Sequence, residues 1–258
     1  MDINNLKQNY NFSKLPNNLQ ISTLSACSNL NTNINLINID KYMKLDEKNI
    51  VTIKYGENIR SLNTKKRKPI KKTFFNQLTI EIYSEFSQKI INLKLFKNGS
   101  IQMCGCKATE DCIIVLNKLI EKLKNIYVTI DNKIINEYPF IDNLDDIKIK
   151  DFKIILINSN YKVNYLIKRE ELYKILISNN QTCRYEPCIH ACVNIKYNLN
   201  KNNKPVSIFV FQSGNIIITG AKTINDINQT YNFINDILEK NKKSIVRRDI
   251  YKILQNID

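Results

Sequence analysis

Glycine and histidine are scarce in this chain. Only 5 of its 258 residues are glycine, and it has one histidine, His190, and no tryptophan. A dinucleotide-binding fingerprint needs three closely spaced glycines and a P-loop needs two before a lysine, and the sequence has neither run. A serine–histidine–aspartate site could be built only around His190, and a histidine-rich zinc enzyme cannot be built at all. The sequence therefore indicates a protein that is not an enzyme and that holds no cofactor or metal.

Long apolar runs are also missing. No run of 18 apolar residues exists, and residues 1–14 are polar, so we expect neither a membrane span nor a signal peptide. The seven cysteines are irregularly spaced. Cys188, His190 and Cys192 are expected on one face of a strand, with Cys183 nearby. Alternation along a strand is awkward for tetrahedral zinc, so free thiols in a reducing compartment are favoured.

Positive charge is abundant. The chain has 39 lysines and arginines against 24 acidic residues, a net charge of +15. Such a balance favours a polyanionic partner such as nucleic acid, although it also serves solubility alone. Part of the charge lies in Lys65–Lys72, which fits a solvated insertion, an arm that contacts phosphates or a nuclear localisation signal.

Four of the five glycines mark an internal repeat. The segments Phe96–Lys107 and Phe211–Lys222 are 115 residues apart, and they share the phenylalanine, both glycines, one isoleucine and the final lysine. Asn98-Gly99 and Ser213-Gly214 are tight-turn dipeptides, so each segment predicts a β-hairpin. The predicted strands are 90–96 with 101–104, and 206–211 with 216–219.

Each hairpin is followed by a predicted amphipathic helix. In the first copy Thr109 is the expected N-cap. The apolar faces are Ile113, Leu116, Ile120 and Leu123 in the first helix, and Ile227, Tyr231, Ile234 and Leu238 in the second. Upstream of each hairpin we predict a further extended segment, 74–83 and 185–197, preceded by a strand and a helix. Those strand and helix pairs are 21–30 with 37–45, and 152–160 with 167–178.

The pattern predicts an α+β protein with two repeats. The expected divisions are an N-terminal tail (1–18), a first repeat (19–124) with a basic insertion near 58–72, a linker (125–151), a second repeat (152–240) and a basic C-terminal tail (241–258).

The residues of the repeats resemble a known family. Residues 204–214, KPVSIFVFQSG, and residues 219–222, TGAK, are similar to the second repeat of the TATA-box-binding-protein family. Tyr185-Glu186-Pro187 and residues 151–154 match further blocks of that repeat in order and spacing. In the first repeat the Phe-x-x-Gly and Gly-x-Lys skeleton and the pair Asn29-Leu30 carry the resemblance.

The resemblance implies a fold and a function. The two pseudo-symmetric repeats would form a curved antiparallel β-saddle with helices on its convex face, and the concave face would lie on the minor groove of double-stranded promoter DNA. Phenylalanines of the family wedge between neighbouring base pairs. The free-energy cost of unstacking these pairs is offset by the additional contacts that a bent duplex makes with the protein. The expected function is a transcription initiation factor that binds AT-rich DNA as a monomer and recruits a factor IIB-like protein and RNA polymerase.

The resemblance also implies which residues face the groove. Phe96 and Phe211 stand at one wedge position of each repeat, and Phe75 stands at the second wedge position of the first repeat. The counterpart of Phe75 is His190, so the second wedge is altered. The other positions on the groove-facing strands are Lys94, Gln102 and Cys104 in the first repeat, and Phe209, Ile217 and Thr219 in the second.

Further positions carry over with departures. Thr23 and Leu156 stand where the family has central asparagines, and Ser25 and Asn158 stand at nearby valine positions. We expect Leu156 and Asn158 on one face of a strand, so that Asn158 could supply a central base contact. Lys107 and Lys222 suit phosphate contacts, and Glu186 with Ile189 suits the factor IIB-like partner. The departures leave the base preference open.

Two alternatives stay open at this point. Phe96 and Phe211 could be core residues, because phenylalanines that alternate on strands usually are. The chain could also be a saddle-fold interaction or regulatory module of the transcription apparatus that does not intercalate, which Lys94, Gln102, Leu156 and His190 motivate. Isoleucine, asparagine and lysine, which have AT-rich codons, are abundant. Together with the divergence from the family, this composition suggests a large DNA virus or a parasitic protist, and we prefer the virus. The expected location is the nucleus, or a viral factory or virion.

Overall fold

The computed structural model describes residues 12–62, 75–124, 128–130, 133–135, 140–199 and 204–247. These residues form two compact units. The first unit runs from Thr23 to Ile155, and the second holds the described residues up to Ser22 and those from Leu156 onward. The predicted basic segment Lys65–Lys72 lies outside the described residues.

The first unit is an antiparallel sheet with two helices. Its strands follow the order β1-β6-β5-β4-β2-β3. They are β1 (Gln20–Asn29, of which Thr23 onward belongs here), β2 (Ile50–Tyr55), β3 (Asn58–Ser61), β4 (Gln77–Ser84), β5 (Lys89–Phe96) and β6 (Ser100–Cys106). The helices are α1 (Leu36–Tyr42) and α2 (Thr109–Leu123), and a small hairpin follows, β7 (Val128–Ile130) with β8 (Lys133–Ile135).

The second unit repeats this plan. Its sheet has the order β11-β12-β13-β14-β9. The strands are β9 (Lys150–Lys162, of which Leu156 onward belongs here), β10 (Leu166–Ile167), β11 (Cys183–Arg184), β12 (Cys192–Tyr197), β13 (Val206–Phe211), β14 (Asn215–Ala221) and β15 (Val246–Arg247). The helices are α3 (Arg169–Ser178), α4 (Ile224–Lys240) and α5 (Lys242–Ile245), and β10 pairs with β15 apart from the main sheet.

Strand alternation gives each sheet one buried face. Along β4, Leu78, Ile80 and Ile82 are fully buried, whereas the residues between them are partly exposed. Successive side chains of a strand point to opposite faces, so the apolar set packs beneath the helices. The buried residues of the long helices are Cys112, Val115, Leu116, Leu119 and Leu123 in α2, and Ile227, Thr230, Ile234 and Leu238 in α4.

The duplicated hairpin turns explain where the scarce glycines lie. Gly99 has φ of 79° and Gly214 has φ of 82°, in the left-handed region that glycine adopts without strain. Both turns also pack closely on a neighbouring loop of the same unit. A Cβ on Gly99 would lie 2.3 Å from the carbonyl oxygen of Thr32, and a Cβ on Gly214 would lie 2.6 Å from that of Tyr165. The two predicted hairpins are confirmed.

Both predicted helices are present, but the buried face of the first one is shifted from the predicted face. Ile113 and Ile120, predicted on the core face of α2, are only half-buried. Their neighbours Cys112 and Leu119 are fully buried instead, because α2 is rotated by about one residue from the predicted orientation. The N-cap is Ala108, one residue before the predicted Thr109. In the second copy Ile227, Ile234 and Leu238 are buried as predicted, and Tyr231 is half-buried.

Two extended segments were predicted too long. Residues 185–191 contain a turn instead of a strand, since the amides of Ile189 and His190 both donate to the carbonyl oxygen of Glu186. Strand β12 therefore begins only at Cys192, and the predicted shared strand face of Cys188, His190 and Cys192 is wrong. Strand β4 likewise begins at Gln77 and leaves Phe75 outside it.

Segments that flank the repeats also pack on them. Phe140 and Ile141 are buried in the first unit, where the amide of Asn35 donates to the Phe140 carbonyl oxygen at 2.9 Å. In the second unit Tyr231 Oη donates to Asn18 Oδ1 at 2.9 Å, and Ile245 is fully buried. Within the described ranges, every helix is too short or too polar to cross a membrane.

Candidate nucleic-acid interface

The face of the first sheet opposite its helices carries a partly exposed set of side chains, here called the first open face. One row crosses four strands in direct register, and its members are Cys27, Gln102, Lys94 and Thr79. The next row is Ser25, Cys104, Asn92 and Glu81. The predicted groove-facing residues Lys94, Gln102 and Cys104 therefore lie together on one surface, as neighbours across β5 and β6.

The second sheet presents a matching surface, the second open face. Its first row is Asn160, Ile217, Phe209 and Asn194, and its second row is Asn158, Thr219, Ser207 and Lys196. Leu156 and Asn158 are half-buried and alternate with the buried Ile157 and Ser159, so they share this face as predicted. The positions coincide with those of the first open face: Phe209 corresponds to Lys94, Ile217 to Gln102 and Thr219 to Cys104.

The first open face is polar. Lys54 Nζ pairs with Glu81 Oε1 at 2.9 Å, and Thr52 and Ser61 are joined by a hydroxyl–hydroxyl hydrogen bond of 2.9 Å. In the part of the chain that the structure describes, the side chains of Lys94 and Gln102 have no hydrogen-bond or ion-pair partner. A lysine and a free amide therefore lie at the positions that Phe209 and Ile217 hold in the second repeat, with the Lys54–Glu81 ion pair beside them.

The second open face is more apolar, and its polar groups are largely paired. Phe209, Ile217 and Leu156 are half-buried on it. Thr219 Oγ1 donates to Asn158 Oδ1, and Lys196 Nζ donates to Ser207 Oγ at 2.7 Å. Such a surface offers apolar contact and few free donors.

Phe96 and Phe211 stand at equivalent places on the two open faces. Each is the last residue of its strand, β5 or β13, directly before the glycine turn, and each ring is half-buried. Phe96 borders a groove with Asn29, Gln102 and Lys153. Neither phenylalanine is part of the buried core, and this position argues against a purely structural role for the two rings.

Phe75 and His190 lie two residues before the equivalent strands β4 and β12. The Phe75 side chain is 65% exposed and its ring packs against Gly56. His190 is exposed in the turn after Glu186, beside Ile189, which is 69% exposed. The two therefore occupy comparable places, although neither lies on a strand.

The two predicted phosphate-contacting lysines are placed by helix caps. The backbone amide of Lys107 donates to Asp111 Oδ2 at 2.7 Å, and that of Lys222 donates to Asp226 Oδ2 at 2.9 Å. Both residues are exposed at the end of a sheet strand, so their ammonium groups reach solvent. The predicted partner residue Glu186 is half-exposed and forms an ion pair with Arg184.

All seven cysteines are free thiols. Cys27 and Cys104 are half-buried on the first open face, and burial raises the pKa of the Cys27 thiol, so it is protonated at neutral pH. Across the described ranges, no cluster of three or more histidine, cysteine or acidic side chains could hold a metal ion.

Sequence reasoning missed part of the first open face. The hairpin β2–β3 extends it with Thr52, Lys54 and Ser61, in a region that had been assigned in part to an insertion near 58–72. Asn92 and Ser207 were also missed. A strict two-residue alternation from Lys94 and Phe209 would have found them.

Comparisons with known proteins show the family. The family model "Transcription factor TFIID (or TATA-binding protein, TBP)" matches residues 151–241. A TATA-box-binding protein-like protein of Acanthamoeba polyphaga mimivirus is 43% identical over 254 residues, which cover 88% of this chain and 67% of the relative. A TATA-box-binding protein of Methanococcus maripaludis is 26% identical over 163 residues, covering 60% of this chain and 71% of the relative.

A solved structure shows the same fold. The TBP of Methanococcus jannaschii aligns with a TM-score of 0.57 at 18% identity, covering 86% of this chain and 98% of that chain. The predicted α+β fold class is confirmed, and the mimivirus relative confirms the predicted viral affinity. Proteins of this kind are non-enzymatic factors in transcription-related DNA binding. The chain belongs to the TATA-box-binding-protein family, as a diverged viral member.

Proposed function

We propose that this protein is a transcription initiation factor that binds AT-rich promoter DNA in the minor groove through its two open faces and bends it. The observation that carries the proposal is the repetition of one surface: two sheets with equivalent rows, each ending in a partly exposed phenylalanine beside a glycine turn. A β-sheet surface of this kind fits a widened minor groove, where apolar contact and DNA deformability carry much of the recognition.

Phe96 and Phe211 act as wedges. An aromatic ring at a strand end can enter between two base pairs without moving the sheet behind it. Unstacking costs a few kcal/mol per step, which the added contacts of a kinked duplex offset. Phe75 and His190 stand at the second wedge position of their repeats, and we propose that His190 stacks or donates a hydrogen bond there instead of intercalating fully.

Charge supplies the sequence-independent part of binding. Lys107 and Lys222 contact phosphates, and the net charge of +15 draws the protein to DNA. Each neutralised phosphate adds about 0.9 to the slope of log affinity against log salt. The remaining predicted residues face the minor groove, and they are Thr23, Ser25, Lys94, Gln102, Cys104, Leu156, Asn158, Phe209, Ile217 and Thr219.

The protein then recruits transcription machinery. The exposed Ile189 beside Glu186 offers an apolar residue next to a carboxylate, which suits a factor IIB-like partner and, through it, RNA polymerase. The protein binds DNA as a monomer, without catalysis, in the nucleus or in a viral factory.

The test is a wedge deletion. Phe96→Ala and Phe211→Ala are each expected to weaken binding to an AT-rich duplex by about 1–3 kcal/mol and to reduce the bend angle. Gel shift gives the affinity, and energy transfer between dyes at the duplex ends gives the angle. Phe86→Ala is the matched control, because Phe86 is 56% exposed on the β4–β5 turn and lies outside the open face. Unchanged binding and bending in both wedge variants would contradict intercalation by Phe96 and Phe211.

A second candidate is an interaction module with the same fold and no intercalation. The polar first open face, with the Lys54–Glu81 ion pair and Lys94, favours it. This candidate predicts that the wild-type protein neither bends AT-rich DNA nor shows a steep salt dependence, so the same assays on the wild type separate the two functions.

A further inference from the structure

We infer that the two open faces read different base pairs: the second open face demands A·T pairs, whereas the first open face recognises guanine through Gln102. The inference rests on the proposed function and refines its base preference. It comes from the one pair of equivalent central positions where the repeats differ most in hydrogen-bonding capacity, Gln102 and Ile217.

The minor groove gives a simple chemical distinction. Adenine N3 and thymine O2 present acceptors only, and a G·C pair adds one donor, the exocyclic N2 amine of guanine. A surface that is apolar where this amine protrudes leaves it without a partner, which disfavours G·C. A surface that places an acceptor there favours G·C over A·T.

The second open face is of the apolar kind. Ile217 stands in direct register between Asn160 and Phe209, and Leu156 extends the apolar area along β9. The nearest polar groups are already engaged: Thr219 Oγ1 donates to Asn158, and Ser22 Oγ donates to Asn160 Oδ1 at 2.5 Å. An amine pressed against Ile217 would lose its water and find no acceptor on that side chain.

The first open face offers an acceptor at the same place. Gln102 stands in direct register between Cys27 and Lys94, half-buried, with its amide unpartnered within the described residues. Its carbonyl oxygen accepts from the guanine amine, and its amide nitrogen donates to guanine N3 or cytosine O2. The flanking side chains of its row are the thiol of Cys27 and the ammonium of Lys94.

Lys94 supports this reading without discriminating between bases. Its ammonium donates to the acceptors that every base pair presents in the minor groove. The nearby carboxylate of Glu81 forms an ion pair with Lys54, so Lys94 is not the only cation that this carboxylate balances. Discrimination therefore falls to Gln102.

The test uses inosine. An I·C pair lacks the N2 amine and presents the minor groove of an A·T pair, so it separates recognition of the amine from duplex stability. One half of an eight-base-pair site is kept as A·T, and the other half carries A·T, G·C or I·C at its central positions. The wild-type protein is expected to bind the G·C form at least about fivefold more tightly than the I·C form, the lower end of one specific bidentate contact. A site with G·C in both halves is expected to bind weakly and to recover when one half becomes I·C.

Two variants assign the effect. Gln102→Ile, which copies the second repeat, is expected to equalise G·C and I·C, and the reciprocal Ile217→Gln is expected to allow G·C in both halves. Urea unfolding of each variant confirms that it is folded. Equal binding of G·C and I·C by the wild type, or a G·C preference that survives Gln102→Ile, overturns the inference while the proposed function stands. Failure to bind any duplex, the all-A·T site included, overturns both.

Discussion

Asp111→Ala is expected to destabilise the protein far more than the equivalent change Asp226→Ala. The two carboxylates occupy the same position in the first turn of α2 and α4, in the two repeats. Asp111 is fully buried: it accepts from Ser84 Oγ at 2.5 Å and from the Lys107 amide at 2.7 Å. Asp226 is half-exposed and accepts from the amides of Lys222 and Thr223 at 2.9 and 3.1 Å.

The structure sets the magnitudes. Removal of the Asp111 carboxylate leaves the fully buried Ser84 hydroxyl and the Lys107 amide without an acceptor. One unsatisfied buried group costs about 1–3 kcal/mol, and lost charge at a helix N-terminus adds about 0.3–1 kcal/mol. With the buried Ser84 hydroxyl counted over that full range and the part-buried Lys107 amide at its low end, we expect Asp111→Ala to cost about 2–5 kcal/mol. Water replaces the lost acceptor at Asp226, so Asp226→Ala is expected to cost about 1 kcal/mol.

Urea unfolding followed by circular dichroism measures both costs, and hydrogen exchange of peptides from α2 and α4 assigns each loss to its unit. Asp111→Asn is the conservative control. It keeps the shape and one acceptor, and it should fall between the wild type and the alanine variant. Equal costs for the two alanine variants, or a cost below about 1 kcal/mol for Asp111→Ala, would refute the reasoning from burial.

Three further predictions follow from the packing. Gly99→Ala is expected to cost about 2–4 kcal/mol in thermal or urea unfolding, because the new Cβ would meet a carbonyl oxygen and the left-handed backbone would be strained. Ile245→Ala, at a fully buried position of the C-terminal segment, is expected to cost about 2–4 kcal/mol, against less than about 0.5 kcal/mol for the exposed Lys243→Ala. The hydrogen bond from Lys118 lowers the pKa of Glu85, so its stabilising contribution is present above about pH 4.3 and is lost as pH falls through the folded pKa. The urea midpoints of the wild type and Glu85→Gln should therefore differ most at pH 7 and approach each other as the pH falls through the folded-state pKa of Glu85.

Local signals made the repeat predictable. Gly99 and Gly214 mark turns with a left-handed backbone and close packing, which any residue other than glycine would adopt only with strain. The two glycines therefore predict the hairpins from the sequence alone. The alternation of apolar residues then orients each strand. The resemblance to the family placed Lys94 and Phe209 on one kind of face before any contact was known.

Other features depend on contacts that no local pattern encodes. The turn at Glu186 interrupts a run that is otherwise rich in strand-forming residues, and it moves His190 off the strand. The rotation of α2 brings Cys112 inward, and a buried cysteine gives no stronger signal than the isoleucine beside it. The outermost strand β3 is held through its side chains, where Arg60 donates to the carbonyl oxygens of Ile39 and Met43 at the end of α1.

The divergence between the repeats is concentrated on one side of each sheet. At the buried positions next to Gln102 and Ile217 both repeats keep large apolar residues: Ile101 and Met103 in β6, Ile216 and Ile218 in β14. Packing beneath a helix constrains both copies alike, because a polar side chain there would be desolvated without a partner. On the open faces the copies differ in charge and hydrogen bonding, so a different constraint acts there, and the proposed DNA contact supplies one. Two identical faces would bind a duplex equally well in either direction. Two different faces favour one direction, which the proposed role in transcription initiation requires.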